Sequence, residues 1–147
     1  MSVSFIRVLV VEDAQQFQKF VSLTLLNRPK LQVIGRVLDG LEAVQRAEEL
    51  QPDLILLDIG LPRLNGIQAA RKIRKVSPRS IILFVSQESS ADIVQEAMST
   101  GASGYVVKID AGTELLPAVD SVLRGEQFIG HRIALCEFAH LAHGATP

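Results

Sequence analysis

The chain has 147 residues, 48% of them hydrophobic and 21% charged, with a formal net charge of −1. This balance excludes a disordered polymer and predicts one globular domain, and the near-neutral charge does not indicate nucleic-acid binding. The single cysteine, Cys136, excludes an intramolecular disulfide and a cysteine-rich metal site. Met1 to Arg7 lack the features of a signal peptide, and the apolar run that follows is broken by Glu12 and Asp13. We therefore expect a cytoplasmic protein with no membrane segment.

Five short apolar runs predict β-strands. Most are unbroken and rich in β-branched residues, which is typical of strands buried on both faces of a parallel sheet. The second run is more mixed, which favours a place at the edge of the sheet. In chain order the runs are residues 8–11, 32–37, 54–57, 81–85 and 105–107.

The segments between these runs have apolar residues at helical spacing. Pro117 falls in the first turns of the fifth helix if that helix begins near residues 112–114. The alternation predicts a (βα)5 chain, an α/β fold whose doubly wound parallel sheet has helices on both faces. The apolar faces are Phe17, Phe20, Val21, Leu23 and residues 24–26; Leu41, Val44, Ala47 and Leu50; Ile67, Ala70 and Ile73; Ile93, Ala97 and Met98; and Leu115, Leu116, Val119 and Leu123.

Polar side chains follow four of the five predicted strands. They are Glu12 and Asp13 after the first, Asp58 after the third, Ser86 after the fourth and Lys108 after the fifth. In open α/β sheets a ligand binds at the carboxyl ends of the strands, near the point where strand order reverses. With the order 2-1-3-4-5, these four strands are neighbours and their side chains meet in one crevice.

The chemistry of this set is that of phosphoryl transfer. Three converging carboxylates repel one another, and a hard divalent cation such as Mg²⁺ relieves that repulsion. The carboxylate of Asp58 can attack phosphorus, and the ammonium of Lys108 and the hydroxyl of Ser86 can bind phosphoryl oxygens. Taken singly each residue has an ordinary alternative, since Asp13 could cap a helix beginning at Ala14 and Asp58 could be a solvated turn residue. Their joint order at strand ends favours the functional interpretation.

Three stretches of the chain resemble the response-regulator receiver family of two-component signalling, over about residues 7–129. The detail is most similar to receivers of NarL/LuxR-type regulators. The resemblance implies a flavodoxin-like (CheY-like) receiver domain over residues 1–130 that is no enzyme apart from catalysing its own phosphorylation and dephosphorylation. The stretches are residues 8–13, residues 53–62 with Asn65-Gly66, and residues 101–108.

The resemblance also implies a role for each site residue. Asp58 is the phosphoacceptor, and Ser86 and Lys108 bind the phosphoryl group. Mg²⁺, for which Mn²⁺ or Ca²⁺ could substitute, is held by Asp58, by Asp13 directly, by Glu12 mainly through water and by the backbone carbonyl of Gly60. Pro62 and Gly66 shape the loop after Asp58. Tyr105 matches the aromatic switch residue that turns inward as Ser86 moves, although an edge-strand tyrosine packed on the fourth helix is the alternative.

The chain departs from the family pattern at two places. Ile109 follows Lys108 where the family often has a cis proline, so a cis bond is not expected, because it costs about 2.5–4 kcal/mol without proline. Gly60 and Glu88 occupy positions that tune autodephosphorylation in the family: Gly60 leaves a path for water, while Glu88 could orient or repel it, so these residues do not predict the lifetime of the phosphoryl state.

Residues 131–147 form a C-terminal tail or linker stub, with a short helix expected around Ile133, Leu135, Cys136, Phe138 and Leu141. The tail is too short for a helix-turn-helix domain. Its histidines, His131, His140 and His143, do not by themselves make a metal site. The expected partners are a sensor histidine kinase or phosphotransfer protein and a second copy of the chain on phosphorylation, with DNA contacted only through an output domain outside this chain.

Three other functions are alternatives, and each requires a feature that can be checked in the sequence. A phosphohydrolase of the haloacid-dehalogenase type needs a second aspartate two residues after Asp58, where Gly60 stands. A flavin mononucleotide carrier needs a phosphate-binding loop after the first strand, where Glu12 and Asp13 would repel a phosphate. A receiver-like interaction module that works without phosphorylation predicts the loss of an acceptor, metal ligand or lysine, and none is lost.

Overall fold

Strands and helices alternate along residues 4–134, the part of the chain that the computed structural model describes. The strands are β1 (Ile6–Val11), β2 (Leu31–Val37), β3 (Leu54–Leu57), β4 (Ile81–Ser86), β5 (Gly104–Val107) and β6 (Phe128–Ile129). The helices are α1 (Gln15–Leu25), α2 (Gly40–Leu50), α3 (Gly66–Val76), α4 (Ala91–Met98) and α5 (Ala111–Leu123), and a 3₁₀ turn, Lys108–Asp110, precedes α5. Of the short helix predicted in the tail, residues 131–134 are described and are helical, and the remainder lies outside the described residues.

All paired strands are parallel and form one sheet in the order β2-β1-β3-β4-β5-β6. The predicted fold class and the order 2-1-3-4-5 are confirmed, with β2 at one edge. Strand order reverses beside β1, which places the expected crevice next to that strand. β6 was not predicted, because a strand of two residues is too short to show a hydrophobic pattern.

Local signals explain where most of the helices begin. The Asp39 side chain accepts a hydrogen bond from the Glu42 backbone N–H at 2.8 Å at the start of α2. Asn65 and Gln68 form a reciprocal capping box at the start of α3. The alternative that Asp13 caps α1 is wrong: α1 follows Ala14 without a side-chain cap, and it is Glu12 Oε2 that accepts the Ala14 backbone N–H, at 3.0 Å.

Helix α5 begins earlier than expected, at Ala111, so Pro117 lies in its interior rather than in its first turns. Pro117 has no backbone N–H and therefore cannot make the usual bond to the carbonyl of Thr113. The buried face of α5, which includes Leu115 and Val119, still packs on the sheet. Tertiary packing therefore outweighs the cost of the proline here.

The sheet separates two apolar layers. Leu9 and Ile55 point to the layer formed with α2, α3 and α4, while Val8 and Leu54 point to the layer formed with α1 and α5. Alternate residues of each strand are buried on opposite faces, which explains why the strands read as unbroken apolar runs. No helix within residues 4–134 is long and apolar enough to cross a membrane.

Candidate functional site

Side chains from four strand ends meet around a cavity of about 330 Å³. The predicted site residues after β1, β3, β4 and β5 are thus brought together at one crevice, as their positions in the sequence indicated. Residues that line the cavity are Asp13, Ala14, Asp58, Gly60, Ser86, Gln87, Glu88 and Lys108.

Lys108 bridges two carboxylates behind this cavity. Its Nζ lies 2.5 Å from Glu12 Oε1 and 3.2 Å from Asp58 Oδ2. The three side chains are only 12%, 4% and 8% exposed, in the order Lys108, Glu12 and Asp58. Burial disfavours the charged ammonium, but the hydrogen bond to Glu12 and the nearby negative charges outweigh it and raise the pKa of Lys108. Lys108 therefore stays a cation and neutralises part of the buried negative charge.

Glu12 and Asp58 are each held from a second side. Burial raises the pKa of Glu12, against the opposing hydrogen bonds from Lys108 and from the Ala14 backbone N–H. Asp58 Oδ1 accepts a hydrogen bond from the Ile59 backbone N–H at 2.7 Å. Both carboxylates therefore have fixed orientations, with Asp58 facing the cavity.

One carboxylate oxygen from each of Glu12, Asp13 and Asp58 lies within 4.8 Å of the other two. This is an all-oxygen set, the chemistry that suits a hard divalent cation. Asp13 is exposed to solvent whereas Glu12 and Asp58 are buried. The cluster can therefore hold a metal ion at the mouth of the crevice, where water can complete its coordination.

The loop after Asp58 runs so close to itself that Gly66 has no room for a side chain. The Gly66 backbone N–H donates to the Ile59 carbonyl at 2.8 Å, and a Cβ on Gly66 would lie 1.9 Å from the Asp58 carbonyl oxygen. Glycine is the only residue that fits this approach. At Gly60, by contrast, an added Cβ would meet no atom within 4 Å. The two glycines thus have different roles: Gly66 allows the loop to close, and Gly60 leaves the cavity open.

Ser86 and Tyr105 are both buried beside the loop that follows β4. Ser86 Oγ accepts the Glu88 backbone N–H at 3.3 Å, and the Tyr105 hydroxyl donates to the Glu88 carbonyl at 2.7 Å. The Tyr105 side chain is completely buried, and this burial raises its pKa to about 12. Tyr105 is not on an edge strand, because β6 pairs with β5 on the outer side. Its ring faces inward in this structure, and its hydroxyl holds the loop that contains Glu88.

Two residues of α1 support the site and were not singled out from the sequence. The Phe17 ring lies under Lys108, with its centroid 4.8 Å from Nζ, a cation–π distance. Gln18 is buried and its Nε2 donates to the Glu12 carbonyl at 3.0 Å. Phe17 was counted only as an apolar face residue, and nothing in its spacing shows that a cation lies over it. Gln18 did leave a signal, since it is a polar residue beside Phe17 and Val21 on the buried face of the helix.

Comparison with known proteins shows the family. A sequence model described as the response regulator receiver domain matches residues 8–120. The transcriptional regulatory protein DegU of Brevibacillus brevis is 32% identical over 128 residues, covering 87% of this chain and 54% of DegU. The chemotaxis protein CheY of Thermotoga maritima is 33% identical over 116 residues, covering 79% of this chain and 96% of CheY. The chain belongs to the response regulator receiver domain family.

A solved structure of a LuxR-family two-component response regulator from Aurantimonas sp. SI85-9A1 has a TM-score of 0.85 and 30% identity, over 90% of this chain and 94% of that one. The resemblance to NarL/LuxR-type receivers is therefore confirmed. The protein is a receiver domain of two-component response regulators, a regulatory domain. The chain spans about half the length of DegU.

Proposed function

We propose that Asp58 accepts a phosphoryl group from a sensor histidine kinase or a phosphotransfer protein. A carboxylate oxygen of Asp58 forms the new bond to phosphorus as the bond between phosphorus and the donor nitrogen breaks, and the product is an acyl phosphate. The donor nitrogen keeps the electron pair of the broken bond. We assign one further covalent step to the chain: water attacks the phosphorus, the bond between phosphorus and the Asp58 oxygen breaks, and the products are inorganic phosphate and the free carboxylate of Asp58.

The observation that carries this proposal is the contact of Lys108 with both Glu12 and Asp58. A buried ammonium 3.2 Å from Asp58 Oδ2 is placed to bind an oxygen of a phosphoryl group attached there. The hydroxyl of Ser86, which lines the same cavity, supplies a second donor. Both groups lie at the cavity before the reaction, so hydrogen-bond donors for the phosphoryl oxygens are already present when the charge arrives.

Mg²⁺ is the cation that we assign to Glu12, Asp13, Asp58 and the backbone carbonyl of Gly60, with Mn²⁺ or Ca²⁺ as substitutes. Bound there, it supplies positive charge to the transferring phosphoryl oxygens. Glu12 already binds Lys108 and the Ala14 backbone N–H, which supports its acting through water rather than directly. Asp13 has the exposure expected of a direct ligand that faces the solvent.

Phosphorylation is proposed to act on the loop after β4, on α4 and on β5. Ser86 and Tyr105 both bind the backbone of Glu88, so a shift of Ser86 toward a phosphoryl group changes the contacts of Tyr105. The proposal places the domain in the cytoplasm with its kinase. It controls a partner or an output domain that binds DNA, and it includes a homodimer on phosphorylation.

The experiment is intact-mass measurement of the protein with acetyl phosphate and Mg²⁺. We expect one added phosphoryl group, no added group when Mg²⁺ is chelated, and none in Asp58→Asn. Asp53→Asn is the matched control, because Asp53 is an exposed aspartate at the other end of the same strand. It should label like the unchanged protein, and size-exclusion chromatography of the same samples reports the oligomer.

Labelling that persisted in Asp58→Asn would contradict the assignment of the acceptor. Labelling of the unchanged protein without any divalent cation would contradict the role of the metal. Turnover of p-nitrophenyl phosphate would favour the phosphohydrolase alternative, and we expect none.

A further inference from the structure

Residues 128–134, which we name the C-terminal strap, are fastened to the edge of the domain next to the site. β6 pairs with β5, and the Gly130 backbone N–H donates to the Tyr105 carbonyl at 2.8 Å. Ile133 is 1% exposed and belongs to the same apolar layer as Tyr105 and Val94. The strap is therefore a packed part of the domain rather than a loose end.

Two acidic side chains at the start of α5 hold the strap from the other side. Glu114 Oε2 accepts the His131 backbone N–H at 2.9 Å. Both oxygens of Asp110 accept hydrogen bonds from the guanidinium of Arg132, each at 3.1 Å. This two-bond contact is directional, since a planar guanidinium matches a carboxylate in one orientation. Its hydrogen bonds lower the pKa of Asp110, so the pair stays charged at neutral pH.

Asp110 links this contact to the Asp58 site through the backbone. Asp110 ends the 3₁₀ turn that begins at Lys108, and Lys108 is the residue that contacts Asp58. A displacement of Lys108 therefore reaches Asp110 within one turn of backbone. Tyr105 provides a second connection, because its hydroxyl holds the Glu88 carbonyl while its own carbonyl holds Gly130.

We infer that the ion pair between Asp110 and Arg132 couples the occupancy of the Asp58 site to the attachment of the C-terminal strap. This inference rests on the proposed function of Asp58. It says which contact would transmit the phosphorylation state of Asp58 to the C-terminal strap. With a free carboxylate on Asp58, Lys108 is held back against Glu12 and Asp58, and the turn presents Asp110 to Arg132. A phosphoryl group on Asp58 draws Lys108 to its own oxygens and shifts the turn. The strap then loses its two-bond contact and loosens.

This arrangement makes the strap the element that reports the state of the site to whatever follows Ala134. It also predicts reciprocity, because a free energy of coupling acts in both directions. If occupancy of the site loosens the strap, a change that loosens the strap must favour occupancy by the same factor. An exposed ion pair contributes modestly, so we expect a factor of about three to five.

The test is amide hydrogen exchange of the full chain, with and without beryllofluoride and Mg²⁺ as the phosphoryl analogue. Exchange at residues 128–134 should become about threefold faster or more when the analogue binds. Asp110→Asn and Arg132→Gln should each produce that loosening without the analogue, and each should tighten binding of the analogue by the same factor. The double variant should do no more than Arg132→Gln alone, because Arg132→Gln already removes the contact with Asp110.

Arg124→Gln is the matched control. Arg124 is an exposed arginine that pairs with Glu126 at 3.0 Å beyond the end of α5, away from the turn. This variant should leave both the exchange of the strap and the binding of the analogue unchanged. Because it removes the same charge at the opposite end of α5, it separates the coupling from an effect of net charge.

The failures are distinguishable by intact mass with acetyl phosphate in the same buffer. If the protein takes up a phosphoryl group and the strap exchanges at an unchanged rate with the analogue bound, the coupling is overturned and the proposed function stands. Loosening of the strap by Arg132→Gln without tighter binding of the analogue overturns it as well. If no phosphoryl group is taken up, the proposed function fails and the coupling fails with it.

Discussion

Each end of the parallel sheet has an ion pair, and the two pairs differ in how far their side chains are exposed to solvent. At the carboxyl end, Lys108 binds Glu12 and Asp58 with all three side chains at most 12% exposed. At the amino end, Arg28 and Asp120 form a pair at 2.7 Å, but their side chains are 39% and 34% exposed. The distances are similar and the surroundings are not.

This difference determines what each pair does. A buried charge that loses its partner leaves an uncompensated charge in a poorly solvated place, whereas an exposed one is rescued by water and ions. Beside this pair is a cavity of about 410 Å³ whose lining includes the apolar residues Ile6, Pro29, Leu31 and Leu123. The molecule thus concentrates its unfavourable electrostatics at one end, which is where the proposed chemistry needs them.

Removal of the central cation should have the largest effect. Lys108→Met leaves the carboxylates of Glu12 and Asp58 buried without their ammonium, so we expect the free energy of unfolding to fall by about 3–5 kcal/mol in metal-free buffer. Urea denaturation measures this loss. Added Mg²⁺ should recover part of the loss, because it neutralises the same carboxylates. If Lys108→Met were as stable as the unchanged protein in metal-free buffer, the contacts of Lys108 with the two carboxylates would not contribute to the stability of the fold.

The next largest loss of stability is expected from ionisation of Tyr105. Its absorbance can be measured without overlap, because the chain has one tyrosine and no tryptophan. Its pKa is raised from 10.0 to about 12 by burial. A raised pKa means that the folded state holds the proton more tightly, so the contribution to stability is complete below pH 10 and is lost as pH rises from about 10 to about 12. The full loss is about 3 kcal/mol by linkage.

Phenolate absorbance against pH measures this titration, and urea denaturation across the same range measures the loss of stability. Tyr105→Phe is the control, since it should lack this alkaline loss while keeping the ring. A phenolate titration near pH 10 in the folded protein would contradict the inward, buried position of Tyr105.

A smaller effect of opposite sign is expected from Asp13. Asp13→Asn removes one of three carboxylates that lie within 4.8 Å of one another, so metal-free stability should rise by about 0.5–1 kcal/mol. The same change should abolish most of the stabilisation that Mg²⁺ produces in the unchanged protein. Thermal unfolding with and without Mg²⁺ measures both, and a Mg²⁺ response of undiminished size would exclude Asp13 as a ligand.

The smallest effect is expected at the amino end, where Arg28→Met should lower the melting temperature by less than about 3 °C. Hydrogen bonds from Arg28 lower the pKa of Asp120, so the pair stabilises the fold above the unfolded pKa of that carboxyl and loses this effect as pH falls through the folded value. The exposure of both side chains keeps this acid effect small. A loss as large as that of Lys108→Met would remove the contrast between the two ends.

Much of the site could be predicted because its residues stand at strand ends. The carboxyl ends of parallel strands meet at one edge, so Glu12, Asp13, Asp58, Ser86 and Lys108 were assigned to one crevice from their positions alone. The incorrect alternative that Asp13 caps α1 shows the limit of this reasoning. Neighbouring acidic residues offer the same chemistry to a helix end, and the direction of each side chain decides which one binds it.

The partners of Lys108 could not be predicted in the same way. The residue was expected to face the phosphoryl group, and the structure adds Glu12 at 2.5 Å and the Phe17 ring beneath it. Phe17 and Lys108 are 91 positions apart in the chain, and no spacing rule relates them. The assignment of phosphoacceptor, metal ligands and switch residues stays a prediction until the labelling experiment is done.

The order of amino acids was enough to predict the fold class and the residues of the crevice, because apolar periodicity and strand-end position are local properties. The strand order was assumed together with the CheY-like fold. The contacts between side chains became visible in the folded structure. It showed that Lys108 lies between Glu12 and Asp58, that Tyr105 is inward under the Glu88 loop, and that a strap too short to predict is fastened by Arg132 to the turn after Lys108. Such contacts join residues far apart in the chain, and they depend on side-chain direction and burial, which the order of amino acids does not state.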